Sequence, residues 1–345
     1  MATQKTVLIT GGAGFIGSAL VRHIFDNYPS YRIVVLDALT YAGNPQNWPS
    51  SLFSSERFTF WHGDVQNASL ADMAVAGSDI VVHLAAETHV SRSIFDDSTF
   101  FKTDVLGTQA IANAVMKNRD KVERFIHVST SEVYGTAETP LMDENHPLNP
   151  RTPYAAAKCG ADRLVYSYCK TYDFPGVILR PFNNYGPRQH LEKVIPRFIS
   201  SALRGEKLTV HGDGSAVRDW IHVEDTARAI DRVMHAKAEE VNGETFNIAS
   251  GTPLSVRDIA TKILEITKAD PDLVTYCLDR PGQVQNHIAD MNKAKTVLDF
   301  QASIGFESGI EKTVSWYRDN QAWCEPMMWM REVKLTLPSG KSTAY

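Results

Sequence analysis

The sequence has few cysteines and no pattern that would use them as metal ligands or disulfide partners. Four occur among 345 residues, at positions 159, 169, 277 and 324, without a CxxC pair, and there is no HExxH motif. Structural zinc sites and disulfide-rich secreted domains depend on such spacings. We therefore predict reduced thiols, no bound metal and a cytoplasmic location.

Long apolar runs and clusters of basic residues are also missing. The first ten residues, MATQKTVLIT, contain only a short apolar run, which predicts no signal peptide, and no stretch approaches a transmembrane span. The net charge is −5 at pH 7. This argues against nucleic acid or a membrane surface as a partner, while a local cationic site could still bind an anionic small molecule.

The chain does contain short β-branched runs that alternate with helical patterns. Predicted strands cover residues 7–10, 32–37, 58–64, 80–85, 124–129 and 176–181. Several are apolar at consecutive positions, as strands buried on both faces require. In the segment between the first two, Ile16, Leu20 and Ile24 lie four residues apart. The alternation predicts an α/β fold with a Rossmann-type, doubly wound parallel sheet.

The pattern changes after about residue 183, where polar segments interrupted by glycine and proline begin. We predict a Rossmann domain made of residues 1–182 plus about 220–250. Residues about 183–219 plus 251–330 would form a smaller C-terminal α/β domain that binds substrate, and 331–345 would form a tail.

The segment TVLITGGAGFIG predicts a dinucleotide-binding turn. A strand is followed by Gly11, Gly14 and Gly17 and then by a helix, a variant of the GxGxxG fingerprint. Glycines allow a tight turn and let the backbone approach a pyrophosphate at the helix N-terminus. Asp37 ends the second strand, where an acid binds the ribose 2′-hydroxyl and disfavours a 2′-phosphate. The cofactor predicted is NAD, and Asp64 after the third strand could reach the adenine.

Two further segments predict a catalytic group. In YAAAK, Tyr154 and Lys158 are four residues apart and share one helix face. A nearby ammonium would lower the pKa of the tyrosine. In STSEVYG, Thr130 follows the fifth strand and would complete a Ser/Thr–Tyr–Lys set, with Ser131 and Glu132 beside it.

With these motifs the chain resembles the extended short-chain dehydrogenase/reductases that act on nucleotide sugars, and most closely the dTDP-glucose 4,6-dehydratases. The resemblance runs along nearly the whole chain. The segments that carry it are TGGAGFIGS, LTYAGN, HLAAETHVSRSI, EVYG, PYAAAK, NNYGP, KVIP, RDWIHVEDTARAI, FNIASG, DRPGQ and FESGIEKTVSWYRDN.

The resemblance implies a set of site residues. Besides the three glycines, the NAD site would comprise Phe15, Ile16, Asp37, Leu39, Thr40, Asp64, Val65, Leu84, Ala85, Ala86, Thr103, Tyr154, Lys158 and Asn184. Facing the sugar would be Thr88, Thr130, Glu132 and Asn183, with His89 and Arg92 nearby. Holding the diphosphate and nucleoside would be Lys193, Arg218, Asn247 and Arg280. The guanidinium forks suit phosphates, although Arg218 and Arg280 could instead pair with the neighbouring Asp219 and Asp279.

The resemblance also implies a reaction that starts with oxidation at C4 of the sugar, in which Tyr154 takes the hydroxyl proton. A 4,6-dehydratase then removes the C5 proton, for which Glu132 is the natural base, and expels the C6 hydroxyl with an acid. The acid in this family is usually an aspartate directly before that glutamate, and here the position is Ser131. A serine hydroxyl is too weak an acid for this role.

Three alternatives therefore stay open beside a nucleotide-sugar 4,6-dehydratase. A Ser–Glu pair also resembles UDP-glucuronate decarboxylases, in which carbon dioxide leaves without an acid. A 4-epimerase would need no C5 base at all. An NAD-binding sensor or scaffold would typically lose the tyrosine or lysine, which this chain keeps. By analogy with the family we also expect a homodimer.

Overall fold

The computed structural model describes residues 4–279, 282–331, 334–336 and 342–344. Its strands in chain order are β1 (Thr6–Thr10), β2 (Arg32–Asp37), β3 (Phe58–His62), β4 (Ile80–His83), β5 (Arg124–Val128), β6 (Gly176–Pro181), β7 (Asn183–Tyr185), β8 (Leu208–His211), β9 (Val217–His222), β10 (Thr245–Ile248), β11 (Pro253–Ser255), β12 (Val274–Cys277), β13 (Asn286–His287), β14 (Lys334–Thr336) and β15 (Ser342–Ala344).

The α-helices in the described part of the chain are α1 (Phe15–Asn27), α2 (Ser50–Phe53), α3 (Ala68–Ala76), α4 (Val90–Ser93), α5 (Ser98–Phe100), α6 (Thr108–Lys117), α7 (Pro153–Tyr172), α8 (Val194–Arg204), α9 (Val223–His235), α10 (Ala238–Val241), α11 (Val256–Thr267), α12 (Asn292–Leu298), α13 (Phe306–Asp319) and α14 (Gln321–Cys324). A π-helical turn, Phe101–Gly107, joins α5 to α6. None of these helices combines the length and apolar composition needed to cross a bilayer.

The main sheet confirms the predicted fold class. Seven parallel strands lie in the order β10-β6-β5-β4-β1-β2-β3. This is the doubly wound order, in which the chain direction across the sheet reverses between β1 and β4. The six strands predicted from β-branched runs are all present, with ends that differ from the prediction by at most two residues. The seventh, β10, lies at one edge of the sheet.

Helices cover both faces of this sheet, as its strands buried on both sides require. On one face α1 and α9 pack together through apolar side chains that include Leu20, Ile24, Ile230 and Val233. On the other face α3, α6 and α7 contribute Val75, Ile111, Val115 and Val165 to a second cluster. Of the three α1 residues named from the sequence, Leu20 and Ile24 are buried, whereas Ile16 is partly buried beside the glycine turn.

A separate apolar cluster holds the C-terminal part together. It contains Tyr185, Ile195, Phe198, Ile259 and Ile310, from β7, α8, α11 and α13. Strands β11, β9 and β13 form a small sheet there, β7 also pairs with β9, and β12 pairs with β8. Since β10 and α9 pack with the first part, the chain crosses between the two parts more than once. The division into two domains at the predicted boundaries stays a prediction.

In the segment predicted as a tail, β14 and β15 form an antiparallel pair.

Candidate active site

A cavity of about 470 Å³ opens at the carboxyl ends of the main-sheet strands. Residues that follow β1, β2, β4, β5 and β6 line it, together with residues of α8 and β9. Ligands of doubly wound sheets bind outside these strand ends, at the point where the strand order reverses. The cavity lies at that point.

The glycine turn after β1 forms one wall, and the structure shows why glycine is required there. Gly11 has a φ of +70°, and a Cβ at this position would lie 2.7 Å from the backbone nitrogen of Ala85. A Cβ on Gly17 would lie 2.2 Å from the carbonyl oxygen of Gly11. The turn is therefore packed against the loop after β4. It brings the N-terminus of α1, which no side chain caps, to the cavity.

Asp37 lies where β2 ends, beside this turn. One carboxylate oxygen accepts a hydrogen bond from the backbone of Ala13 at 2.9 Å, and the other accepts one from the backbone of Leu39 at 2.8 Å. Burial raises the pKa of Asp37, and these two bonds partly oppose that effect. The carboxylate is thus held at the cavity wall, in a position suited to a ribose.

The predicted catalytic group is assembled by β5 and α7. Thr130 follows β5, and its side chain caps the 3-10 turn Ser131–Tyr134 by accepting from the backbone of Glu132 at 3.2 Å. Thr152 caps α7 in the same way, which places Tyr154 and Lys158 on the first turns of that helix. The hydroxyl of Thr130 lies near enough to the phenol of Tyr154 to lower its pKa. The Nζ atom of Lys158 donates to the carbonyl oxygen of Val128 at 2.8 Å.

The electrostatics of Tyr154 differ from the prediction. Burial raises the pKa of its phenol well above the usual value, nearby Asp104 raises it further, and the Thr130 hydroxyl opposes this. Burial also lowers the pKa of Lys158, against the opposing effects of Asp104 and Asp162. Because its ammonium is directed to the carbonyl of Val128, the expected lowering of the tyrosine pKa by Lys158 is not seen.

Asp104 is a buried acid that the sequence analysis missed. It lies in the π-helical turn before α6, where one carboxylate oxygen accepts from the backbone of Glu87 at 2.8 Å. Burial raises the pKa of Asp104 to about 7, although Lys158 opposes this. Turns of the π type often occur at functional sites. An aspartate in an otherwise apolar helical pattern was the available signal.

Glu192 is a second acid that the sequence did not reveal, and it lines the cavity. It accepts from the hydroxyl of Tyr41 at 2.9 Å and pairs with the Nε2 atom of His89 at 3.2 Å and with Lys193 at 3.1 Å. Burial would raise the pKa of Glu192, but Lys193 and two histidines lower it below the usual range. The predicted neighbour Arg92 stacks on the ring of Tyr41 and does not line the cavity.

Most predicted site residues meet in this one cavity. The cofactor set that lines it comprises Gly11, Gly14, Phe15, Ile16, Gly17, Asp37, Thr40, Asp64, Val65, Leu84, Ala85, Ala86, Thr103, Tyr154, Lys158 and Asn184. The substrate and catalytic set comprises Thr88, His89, Thr130, Ser131, Glu132, Asn183, Lys193 and Arg218. Leu39 touches the site only through its backbone bond to Asp37.

Two residues predicted to bind the nucleotide end of the substrate are not among these lining residues. Arg280 lies outside the described residues. Asn247 is fully buried in β10, where its amide accepts from the hydroxyl of Tyr134 at 2.7 Å and donates to the carbonyl of Met142 at 2.9 Å. Its position therefore corresponds to a structural role behind the site, and the predicted ligand contact has no support from this geometry.

The structure does not show the alternative in which Arg218 pairs with the adjacent Asp219. Asp219 accepts instead from the backbones of Ser250 and Gly251. The guanidinium of Arg218 donates to backbone carbonyls that include Gln285 and reaches the cavity wall. An ion pair with Asp219 is thus not what positions this side chain.

Comparison with known proteins gives matches along almost the whole chain. A family model described as GDP-mannose 4,6 dehydratase matches residues 8–313. The low-salt glycan biosynthesis protein Agl12 of Haloferax volcanii is 45% identical over 311 residues, which cover 90% of this chain and 98% of that protein. A dTDP-glucose 4,6-dehydratase of Streptomyces niveus is 40% identical, over 93% of this chain and 95% of its own.

A solved structure agrees with these relatives. It is DesIV, a dTDP-glucose 4,6-dehydratase from Streptomyces venezuelae with NAD and TYD bound, and it matches with a TM-score of 0.89 and 40% identity. The match covers 93% of this chain and 99% of that one. Fold, cavity and relatives thus agree, and the chain belongs to the nucleotide-sugar 4,6-dehydratase family of the extended short-chain dehydrogenase/reductases.

Proposed function

We propose that the protein is an NAD-dependent nucleotide-sugar 4,6-dehydratase. It converts a nucleoside-diphosphate hexose into the 4-keto-6-deoxy sugar by oxidation at C4, loss of water across C5 and C6, and reduction at C6. One observation carries the proposal. The dinucleotide turn with Asp37, the group of Thr130, Tyr154 and Lys158, and the carboxylate of Glu132 line a single cavity.

The residues present fit NAD. The turn after β1 forms a cradle that a Cβ at Gly11 or Gly17 would fill, and the N-terminus of α1 suits a pyrophosphate. The held carboxylate of Asp37 suits a free ribose 2′-hydroxyl and would repel a 2′-phosphate. Bound NAD would supply a hydride acceptor for the sugar, from which the hydride can be returned, and the positive charge of its oxidised ring.

The oxidation step uses the residues around β5 and α7. Tyr154 takes the proton of the C4 hydroxyl, and the hydroxyl of Thr130 donates to the same sugar oxygen. Lys158, whose ammonium donates to the carbonyl of Val128, would hold the nicotinamide ribose of bound NAD. Since burial raises the pKa of free Tyr154, the phenol becomes a working base only when the filled site adds compensating charge.

The elimination step depends on Glu132. No second acid stands beside it, because Ser131 occupies the position where the family usually has an aspartate. The new C4 ketone acidifies C5, and the Glu132 carboxylate takes the C5 proton. The C5 electron pair forms the C5–C6 double bond while the C6–O bond breaks. The same carboxyl group then gives its proton to the departing hydroxide, which leaves as water, and the carboxylate is restored.

Replacing Ser131 with aspartate tests this assignment. The variant Ser131→Asp is expected to raise the elimination rate, by up to about tenfold, because two adjacent carboxyls keep one proton between them and so supply a separate acid. Ser131→Asn, which has the same size without an acid, should give no increase. The rates are measured from product mass against time. A fall in the aspartate variant would show that the site requires a small residue at position 131.

The nucleotide end of the substrate lies toward β9 and α8 in this proposal. Lys193 and Arg218 reach the cavity there and provide the positive charge that a diphosphate needs. Lys193 is fixed by a bond to the carbonyl of Thr88 at 2.8 Å. Arg280 stays a sequence prediction.

A substrate panel tests the proposed function against the other outcomes of C4 oxidation. The protein is incubated with dTDP-glucose, UDP-glucose, GDP-mannose and UDP-glucuronate, and product masses are recorded. We expect loss of water from at least one of the three hexoses. Loss of carbon dioxide would indicate a decarboxylase, and turnover without a mass change would indicate an epimerase. NAD binding without any turnover would favour a sensor or scaffold.

A homodimer is proposed from an apolar surface beside the active site. The π-helical turn and α7 pack together, and Phe101, Leu106 and Tyr166 are 42%, 53% and 40% exposed there. Two copies that joined these surfaces would bury the three side chains. Leu106→Glu should therefore shift the protein from dimer to monomer in size-exclusion chromatography with light scattering. Met73→Glu, which changes an exposed side chain on α3, should leave the dimer intact; a monomeric wild type would contradict the proposal.

A cytoplasmic location is proposed on the state of the thiols. All four cysteines, at positions 159, 169, 277 and 324, are free. Proteins that keep their thiols reduced are typical of reducing compartments.

A further inference from the structure

A buried arginine joins two elements of the active site from behind. Arg180 lies near the end of β6, and its side chain is fully buried. Its Nε and Nη2 atoms donate to the two carboxylate oxygens of Asp162, each at 2.9 Å. Its Nη1 atom donates to the hydroxyl of Tyr134 at 3.0 Å. One guanidinium thus bonds two side chains that belong to different elements.

The two partners belong to the two halves of the proposed chemistry. Asp162 is on α7, the helix used for oxidation, four residues after Lys158 and on the same helix face. Tyr134 is the last residue of the 3-10 turn that carries Glu132. Arg180 therefore connects the helix used for oxidation to the turn used for elimination.

The hydroxyl of Tyr134 uses both its acceptor and its donor capacity. It accepts from Arg180 and donates to the amide oxygen of Asn247 in β10 at 2.7 Å. Burial raises the pKa of Tyr134 to about 12, against the effect of Arg180, so the hydroxyl keeps the proton that the second bond needs. Asn247 donates in turn to the carbonyl of Met142 at 2.9 Å. The end of the turn is therefore bonded to both β6 and β10 within one buried network.

The Glu132 turn is held at both of its ends in this way. Thr130 caps its start by accepting from the backbone of Glu132 at 3.2 Å, and Tyr134 anchors its last residue. The guanidinium of Arg180 also lies over the Tyr134 ring, 4.8 Å from its centroid. Because the donors of a guanidinium form a rigid fork, they fix direction as well as distance. The place of the Glu132 carboxylate relative to α7 depends on these contacts.

We propose that Arg180 and Tyr134 form a positioning bridge that fixes the Glu132 turn against α7, so that Glu132 and Tyr154 meet neighbouring atoms of one bound sugar. This rests on the proposed function, in which Tyr154 acts at C4 and Glu132 at C5 and C6. Neither bridge residue lines the cavity, and neither transfers a proton. Proton transfer requires hydrogen-bond reach, so a small displacement of the turn slows elimination while Tyr154 stays in place.

The experiment separates elimination from oxidation. Tyr134→Phe keeps the buried ring and removes the hydroxyl that joins the turn to Arg180. We expect kcat for water loss to fall by about 10- to 10²-fold, as a small misplacement of a catalytic group can cause, with KM nearly unchanged. Oxidation at C4 should continue, so reduced cofactor should accumulate in single turnovers. The absorbance of reduced cofactor reports oxidation, and product mass against time reports water loss.

Two further variants complete the test. Arg180→Lys keeps the positive charge opposite Asp162 but loses the fork that also reaches Tyr134. It should show the same accumulation of reduced cofactor, and it carries the test if Tyr134→Phe does not fold. Tyr31→Phe is the matched control, since it removes a buried tyrosine hydroxyl that is bonded to His235 at 2.9 Å and does not line the cavity. This control should not cause reduced cofactor to accumulate.

Three results would overturn the inference. One is water loss at the wild-type rate in Tyr134→Phe. A second is an equal loss of oxidation and elimination in the variants of Tyr134 and Arg180, which would indicate a purely structural role. A third is accumulation of reduced cofactor in Tyr31→Phe. If the proposed function itself were wrong, the wild type would already fail to release water, whereas failure of this inference alone leaves wild-type dehydration intact.

Discussion

The variant Tyr154→Phe is expected to lose turnover, with kcat lower by about 10²- to 10⁴-fold, the range that general acid–base catalysis contributes. The phenol is buried at the start of α7, near the hydroxyl of Thr130. Without its oxygen nothing at that position can take the C4 hydroxyl proton. Because the ring stays in place, NAD should still bind.

The measurement combines product mass with the cofactor content of the purified protein. Tyr168→Phe is the matched control, since Tyr168 is on the same helix and its hydroxyl donates to Asn113. It should keep wild-type activity. If Tyr154→Phe kept that activity as well, Tyr154 would not be the base, and the whole assignment of the oxidation step would be wrong.

The second large effect is expected for Glu132→Gln. An amide cannot take the C5 proton or return one to the C6 oxygen, so water loss should fall by about 10²-fold or more. Oxidation at C4 does not use this residue. The absorbance of reduced cofactor should therefore rise on mixing with substrate and decay back without product.

Glu138→Gln serves as the control for a lost carboxylate nearby, because Glu138 is exposed and bonds Asn149 in the loop that follows. It should dehydrate normally. Glu132→Gln would refute the mechanism in either of two ways: by forming product at the wild-type rate, or by failing to reduce the cofactor at all.

The sequence could locate those parts of the site whose residues lie close together along the chain. The glycine turn and Asp37 belong to one strand–helix–strand unit, and Tyr154 and Lys158 to one helix. Spacing alone places such groups, and the structure shows each of them at the cavity. The six β-branched runs became strands for the same reason, since burial on both faces is visible as consecutive apolar residues.

Other parts depend on contacts between distant segments. Arg218 is paired with His287 across almost 70 residues, through pairing of β13 with β9 that no local sequence pattern predicts. Asp104 is buried in a π-helical turn, where its carboxylate accepts a hydrogen bond from the backbone of Glu87, a residue of another segment. Asn247 was placed by resemblance at the ligand, but tertiary packing puts its amide in a network with Tyr134.

Whether Lys158 lowers the pKa of Tyr154 also could not be predicted from their spacing in the sequence. Residues four apart on a helix share a face, but which atom a lysine addresses depends on what lies opposite. Here the carbonyl of Val128 takes the Lys158 ammonium. The pKa of Tyr154 is then governed by burial and by Asp104, a residue fifty positions earlier in the chain.

The central claim is that one cycle moves the hydrogen of C4 to C6 while water leaves. The most direct measurement uses a nucleoside-diphosphate hexose that carries deuterium at C4, chosen from the substrates that the panel identifies, and analyses the product by mass spectrometry and NMR. We expect a product that has lost water and carries the deuterium on C6. A product that has kept its oxygen, or that has lost the label to solvent, would contradict it.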